Sequence, residues 1–478
     1  MISKLLPVNI VIVIITFLLF TYRIPFNYYL IPLILCGIIS LTQLFSYFKN
    51  QNALREVFFY VWFIFFVASF IAPLIHFGRD YWKGYVNLSS SDWQGLAFYV
   101  SSIYLYGIII FISLSKLKLK QKKVRHIWSF KSNAALIVSL LMVFSFVLQT
   151  YLYAKIGGIK AYIQIFTDKE EASSGFTGMG ALFIVSEIFP YLLLLWYFIK
   201  KRGKNVSVSN VAIFLALMLV ACIYFGGLRG SRSNTVFTMV HAVIVVHFTI
   251  FRFKRKHFMI LLASFFLFMA IGRLYKNDGI EMIKNYKNYD DIQISNKMSS
   301  AESIIISDLA RYDVRCFELF MLENNIHYKK KYGSTYLYSV LTFIPFGKSV
   351  RNSLHLTGRT EAAGQLQFDS SGVVKSNKRK NTRIFGFIGE SMLNFGIFSF
   401  ILAYIVLYFI LAYISQWTNA VPTYDARFII IAMISIFIPL IINADSNNVI
   451  FTIIKRPLPL YFILFFITTK KVHNIQTI

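Results

Sequence analysis

The sequence predicts an all-α polytopic membrane protein, with about twelve transmembrane helices and one large, partly helical external loop. Three observations carry this expectation. Of 478 residues, 57% are hydrophobic, 18% aromatic and only 15% charged, which is not the composition of a soluble domain. Apolar runs of about 20 residues, enough to cross a bilayer as a helix, recur along the chain. A single long polar interval, Tyr275 to Phe385, interrupts them.

The expected spans are 5–22, 28–48, 57–77, 95–115, 132–153, 180–199, 210–227, 234–251, 258–274, 387–413, 428–444 and 449–469. The first follows Lys4 and lacks a small-residue cleavage site, so it reads as a retained helix and not as a signal peptide. The chain then divides into nine helices over 1–274, the loop over 275–385, and three helices with a tail over 386–478.

The net charge of +28 suggests nucleic acid, but its distribution argues otherwise. With the amino terminus in the cytoplasm, the inner segments collect Lys4, Lys49, Arg55, the run 116–131, the run 200–204, the run 252–256, Arg427, Lys470 and Lys471. Those segments hold 21 of the 49 basic residues in short loops, as the positive-inside rule requires. Both termini are then cytoplasmic, and contact with anionic membrane lipids is a secondary role for the same runs. The large loop falls outside. It carries 17 Lys/Arg against 11 Asp/Glu, a basic surface suited to an anionic ligand such as a phosphate group. Three scattered cysteines give no disulfide framework, and eight histidines give no zinc spacing. The acidic pair Asp168 and Glu170 is a weak metal signal, so neither metal nor cofactor is expected.

Ionisable residues within spans are costly and usually face a cavity or a partner. Glu187 lies within span six, and Arg273 and Glu390 stand at the outer ends of spans nine and ten. Arg229 and Arg232 flank the glycine-rich turn between spans seven and eight. Beside the N-terminus of a helix, that turn favours anions, and guanidinium grips phosphate oxygens in bidentate fashion. Lys455-Arg456, followed by Pro457 and Pro459, interrupts span twelve in its expected outer half, freeing carbonyls that need partners. All of these charges are expected towards the outer face, which points to an outward-open site.

Within the loop, residues 300–323 read as an amphipathic helix. Ile305, Leu309, Tyr312, Cys316 and Phe320 form its apolar stripe. Asp308, Arg311, Arg315 and Glu318 share another face, suited to a solvated salt-bridge row. A second helix is expected over 336–343. From Gly347 to Arg383 the chain is rich in Arg, Gly and Ser and holds Arg351, His355, Arg359 and Glu361, which reads as a mobile lid or disordered strap.

This layout resembles the Wzy-type O-antigen polymerase family. The resemblance rests on the helix array with one large late outer loop, on Gly230-Ser231-Arg232, on Tyr332-Gly333 with Phe343-Ile344-Pro345, and above all on Gly389-Glu390 followed by Asn394-Phe395-Gly396 (G-E-x-x-x-N-F-G). It implies an inner-membrane glycosyltransferase similar in architecture to GT-C-like enzymes, with its active site facing the periplasm. Such enzymes join oligosaccharide repeat units carried on undecaprenyl pyrophosphate, the lipid-linked sugar serving as both donor and acceptor, and a chain-length-regulating co-polymerase is a possible partner. Charge neutralisation of the leaving pyrophosphate suits a metal-independent mechanism. The candidates for that role are Arg229, Arg232 and Arg456, with Lys455, Arg311, Arg315, Arg351 and Arg383. The attacking hydroxyl needs a base, for which Glu390, Glu361, His355 and Glu187 are the candidates. Two rivals stand beside this reading: an O-antigen ligase, and a lipid-linked oligosaccharide flippase, which needs charge along a central path.

Overall fold

A computed structural model describes residues 28–472, apart from 49, 51, 83–87, 118–123, 168–179, 230–231, 279–301, 303–304, 325–329, 345–346 and 357–384, together with scattered positions before 28. Helices dominate. In the first third of the chain they are α1 (Ile31–Phe48), α2 (Val57–Phe66), α3 (Ala72–Arg79) and α4 (Ser90–Ser115), followed by a short strand β1 (His126–Phe130). Next come α5 (Ala134–Ile156), α6 (Gly158–Thr167), α7 (Gly180–Ser186), α8 (Phe189–Lys201), α9 (Val208–Tyr224), α10 (Arg232–Thr249) and α11 (Arg255–Asp278). The polar interval contributes α12 (Tyr312–Glu323), α13 (Ser334–Leu341) and α14 (Gly347–Ser353). The chain closes with α15 (Gly386–Phe395), α16 (Phe400–Ala420), α17 (Phe428–Phe437), α18 (Ser446–Lys455), α19 (Pro457–Ile467) and strand β2 (Thr468–Val472).

Local signals set many of these boundaries. Ser89 opens α4 with a reciprocal capping box: its hydroxyl accepts the Asp92 N–H, and the Asp92 carboxylate accepts the Ser89 N–H. Ser207 caps α9 by accepting the Asn210 N–H at 3.3 Å. Gly157, at φ 97°, ends α5 in the left-handed region open to glycine. Pro73 follows directly on the π turn at Val67–Ile71, a local irregularity within the helical segment 57–79.

Among the described residues, seven helical segments are long and apolar enough to cross a membrane: 28–47, 57–79, 90–115, 134–156, 182–201, 397–420 and 446–467. Three shorter apolar helices occupy 208–224, 235–249 and 428–442. Of the twelve expected spans, 5–22 lies almost wholly outside the described residues, and 258–274 falls within α11. Span ten is displaced. Instead of one helix from 387, the chain forms the separate α15, breaks at Gly396 (φ 94°), and only then enters the membrane-length segment. The fold is also not purely helical, because β1 and β2 pair antiparallel with Trp128 opposite Lys470.

The chain clusters into two units. One comprises 1–121, 297–416 and 437–452; the other comprises 122–296, 417–436 and 453–478. From residue 302 onward the described part of the polar interval thus belongs to the first unit and does not form a body of its own. There, Gly37 lets Phe70 approach α1, and Gly107 lets Tyr404 approach α4; a Cβ at either position would overlap the ring. Helix α12 is enclosed on nearly all sides: Tyr312, Cys316, Phe317 and Met321 are buried, and so are Asp313, Arg315 and Glu318. The Tyr312 hydroxyl donates to the Ala97 carbonyl at 2.6 Å and meets the Ser101 hydroxyl at 2.7 Å. Arg79, at the end of α3, pairs with Glu302 at 3.0 Å.

The second unit is built around α5, α8, α9 and α10, with the sheet at one end. Lys131 ties the sheet to α19: its N–H donates to the Ile467 carbonyl and its ammonium to the Phe466 carbonyl. Asp425 ties it to the turn before α17. Its carboxylate receives the Trp128 N–H at 3.3 Å and holds Arg427, which also donates to the His126 carbonyl.

Candidate functional site

Two clusters of buried polar side chains stand out, each complete within its own unit. The first is centred on Glu390. Glycine makes it possible: Gly386 adopts φ 74°, and a Cβ there would run into the Arg315 guanidinium and the Ile442 carbonyl oxygen, each at 2.5 Å. A Cβ on Gly389 would collide with the Glu318 carboxyl group. These two residues, one helical turn apart, let α15 lie directly on the polar side of α12.

Glu390 is 0% exposed, and both its carboxylate oxygens are engaged. One accepts the Thr335 hydroxyl at 2.8 Å and the Ser446 hydroxyl at 2.7 Å; the other accepts the Ser446 N–H at 2.7 Å. That N–H opens α18, where an acid is favourable against the helix dipole. Asn394, one turn later, donates to Thr335 Oγ1 and to the Glu390 carbonyl, and accepts the Gly333 N–H at 2.8 Å. The Tyr332 N–H donates to the Asn394 carbonyl at 2.9 Å, and Phe395 stacks on Tyr336 at 6.4 Å between ring centroids. The motif G-E-x-x-x-N-F-G is thus a clamp that joins α15, α13 and α18. Burial pushes the Glu390 carboxyl pKa up, opposed by the bonds from Ser446 and Thr335.

Arg315 and Glu318 lie beside the clamp. Arg315 is 5% exposed. It donates to the Ile442 carbonyl and to Asn443 Oδ1, and its guanidinium lies 5.0 Å from the centre of the Tyr104 ring. Glu318 is 0% exposed, and neither carboxyl oxygen has a hydrogen-bond partner. Burial drives its pKa well above the ordinary 4.5, partly opposed by Arg315. The expected solvated row on residues 308–318 is therefore corrected. The helix breaks at Arg311 (φ 50°), and Arg315 and Glu318 face the interior.

The second cluster lies where two apolar segments break. Glu187 sits between α7 and α8, one turn before the Pro190 ring, and Lys455-Arg456 sits between α18 and α19. Lys455 forms a buried ion pair with Glu187. Together with Arg456, Tyr191, Thr235, Thr238 and Gly226 they line a cleft of about 30 Å³, room for roughly two water molecules. Two cations face one carboxylate, so the lining carries a net positive charge. Beyond the cleft wall, the Tyr191 hydroxyl meets Thr238 Oγ1 at 2.8 Å, and His241 bonds the Ile429 carbonyl at 2.6 Å. Lys455 and Arg456 fall midway along the 22-residue segment 446–467. At 1.5 Å per residue each is about 15 Å from either end of that segment.

The remaining candidates are dispersed. Arg229 ends a short 3₁₀ turn and Arg232 opens α10. Both lie in the chain between Gly226 and Thr235, which line the cleft, while their side chains fall outside what is described. Arg311 caps α12 with a left-handed backbone. Arg351 donates to Thr342 Oγ1 at 2.5 Å and lies 4.5 Å from the centre of the Tyr338 ring. His355 is exposed with φ 48°. Glu361, Arg383, Arg359 and the pair Asp168 and Glu170 lie outside the described residues, as does most of the expected strap. Sequence reasoning missed Thr335, Ser446 and Asn443. Short polar side chains carry no pattern of their own, and the available signal was the Gly386–Gly389 spacing, which marks a helix face open to close approach. No trio of metal-ligating side chains gathers among the described residues.

These features define a helical protein with several helices long enough to span a membrane, carrying two internal charge clusters. Comparison of the chain with protein-family models, with curated proteins and with solved structures found no match.

Proposed function

We propose that the chain is a polysaccharide polymerase of the O-antigen type: a glycosyltransferase that joins undecaprenyl-pyrophosphate-linked repeat units at the periplasmic face of a bacterial inner membrane. The observation that carries the reading is the cleft of Glu187, Lys455 and Arg456. Buried cations of that kind suit a diphosphate, whose departure calls for charge neutralisation more than for a proton donor. The G-E-x-x-x-N-F-G clamp and the polytopic architecture are consistent with it.

The cleft is too small for a diphosphate as it stands. Entry requires Lys455 to swing from Glu187 to the phosphate oxygens, so cation and ligand charge exchange partners. Glu187 is then released as a base. The acceptor hydroxyl attacks the donor's anomeric carbon, its proton passes to Glu187, the anomeric carbon–oxygen bond to phosphate breaks, and undecaprenyl pyrophosphate leaves. In this account Glu390 is a positioning residue, because its oxygens are occupied in binding Thr335 and Ser446.

One observation favours a second reading, the flippase. Lys455 and Arg456 lie midway along their span, where a transport path needs charge. A single reconstitution separates the two. Purified protein given a synthetic lipid-linked repeat unit yields a ladder of polymers if it is a polymerase. Movement of the intact unit between leaflets without a ladder overturns the proposal in favour of transport. A ligase adds no repeats to the lipid-linked unit.

A further inference from the structure

We propose that the two-stranded sheet and the turn beside it form a binding site for an anionic glycerophospholipid, on the membrane face that the charge distribution assigns to the cytoplasm. A cavity of about 390 Å³ opens there, lined by Arg125, His126, Trp128, Trp417, Arg427 and Lys470, with Val124. The sheet register sets Trp128 directly opposite Lys470, placing an indole and an ammonium side by side on one surface. Arg427 is fixed by Asp425 and stacks over Trp128 at 5.5 Å, so it serves as a wall. Arg125 and Lys470 are exposed, and neither meets a carboxylate among the described residues.

Charge asymmetry alone calls for basic residues in this segment, but not for a cavity walled by two tryptophans. The apolar surface that continues from it identifies the ligand further. Trp128 packs against Tyr461 and Phe465 of α19 at 5.7 and 6.3 Å, and those residues with Phe462 and Phe466 form an exposed aromatic face along that helix. Indole rings favour the boundary between head groups and acyl chains. A head-group phosphate in the basic cup therefore leaves its acyl chains running along α19. A free phosphate ion uses the cup but not that face.

The test uses the full chain in phosphatidylcholine vesicles containing increasing fractions of brominated phosphatidylglycerol, read by quenching of tryptophan fluorescence. The quenching lost in a Trp417→Phe variant gives the share carried by one of the two cavity tryptophans. The expected result is quenching at a low anionic fraction, with the midpoint moving roughly thirtyfold higher in an Arg125→Gln/Lys470→Gln double variant, as the loss of two surface cations implies. Both substitutions are at exposed positions, and an unchanged thermal midpoint verifies the fold. Equal quenching by brominated phosphatidylcholine overturns the proposal, as does a double variant with the wild-type midpoint. Abolition of quenching by millimolar inorganic phosphate overturns it too, in favour of a free anion.

Discussion

Replacing Glu390 by glutamine separates a structural clamp from a proton-transferring base. The carboxylate accepts three hydrogen bonds, from Thr335 Oγ1, Ser446 Oγ and the Ser446 N–H. Glutamine retains one acceptor oxygen, which can face the Ser446 N–H. Its amide then points to two hydroxyls that are able to accept: Ser446 Oγ, and Thr335 Oγ1, which already takes one bond from Asn394. Bonds to charged groups contribute about 1.5–3 kcal/mol and neutral ones about 0.5–1.5, so Glu390→Gln should cost roughly 1–3 kcal/mol. Glu390→Ala leaves the Ser446 N–H and the Thr335 hydroxyl without their acceptor, at about 1–3 kcal/mol each. Thermal unfolding in detergent should therefore rank wild type above Gln above Ala. Polymer formation per folded molecule should fall by less than tenfold in Glu390→Gln. The reasoning fails if the glutamine variant unfolds like wild type yet loses activity by about a hundred- to ten-thousand-fold, the range expected for loss of a general base.

Gly386→Ala should lower the thermal midpoint, since a Cβ at φ 74° meets the Arg315 guanidinium and the Ile442 carbonyl; left-handed strain alone costs about 1–2 kcal/mol. Glu318 has a folded-state pKa above its ordinary 4.5, so its contribution to stability is complete below about pH 4.5 and is lost as pH rises towards the folded value. Glu318→Gln should accordingly gain stability over wild type as pH increases in melts between pH 4 and 9, and a constant difference would refute the assignment. Lys455→Met should destabilise by about 3–5 kcal/mol by removing the ion-pair partner of the buried Glu187. Adding Glu187→Gln should recover most of that loss, and an additive double variant would show that the pair is not coupled.

Apolar periodicity made most of the helices legible, and ten of the expected spans coincide with helical segments. Span ten was misplaced because it was drawn through Glu390, Ser391 and Asn394, polar positions that set α15 apart from the apolar run beginning at Ile397. Residues 305–323 misled in the opposite way. Arg315 and Glu318 have the spacing of a solvated row, but α12 is enclosed, and burial depends on what surrounds a helix as well as on its own pattern. The pairing of His126–Phe130 with Thr468–Val472 had no local signature, since the two basic segments lie far apart in sequence. Lys455-Arg456 was legible as a helix break because Pro457 cannot donate to the preceding turn. Its ion pair with Glu187 was not, because nothing in either segment specifies which breaks meet. Thr335 and Ser446 became visible as partners of Glu390 only once α13 and α18 were in place.

The central claim is that the Glu187–Lys455–Arg456 cleft receives a diphosphate, and equilibrium binding of a polyprenyl diphosphate to the purified protein tests it most directly. Removing a guanidinium that neutralises the diphosphate costs about 2.7–4 kcal/mol if the loss matches that of an oxyanion-stabilising donor. Arg456→Ala, checked for an intact thermal transition, should then bind about a hundred- to thousand-fold more weakly than wild type. Equal affinity in the two proteins would contradict the account.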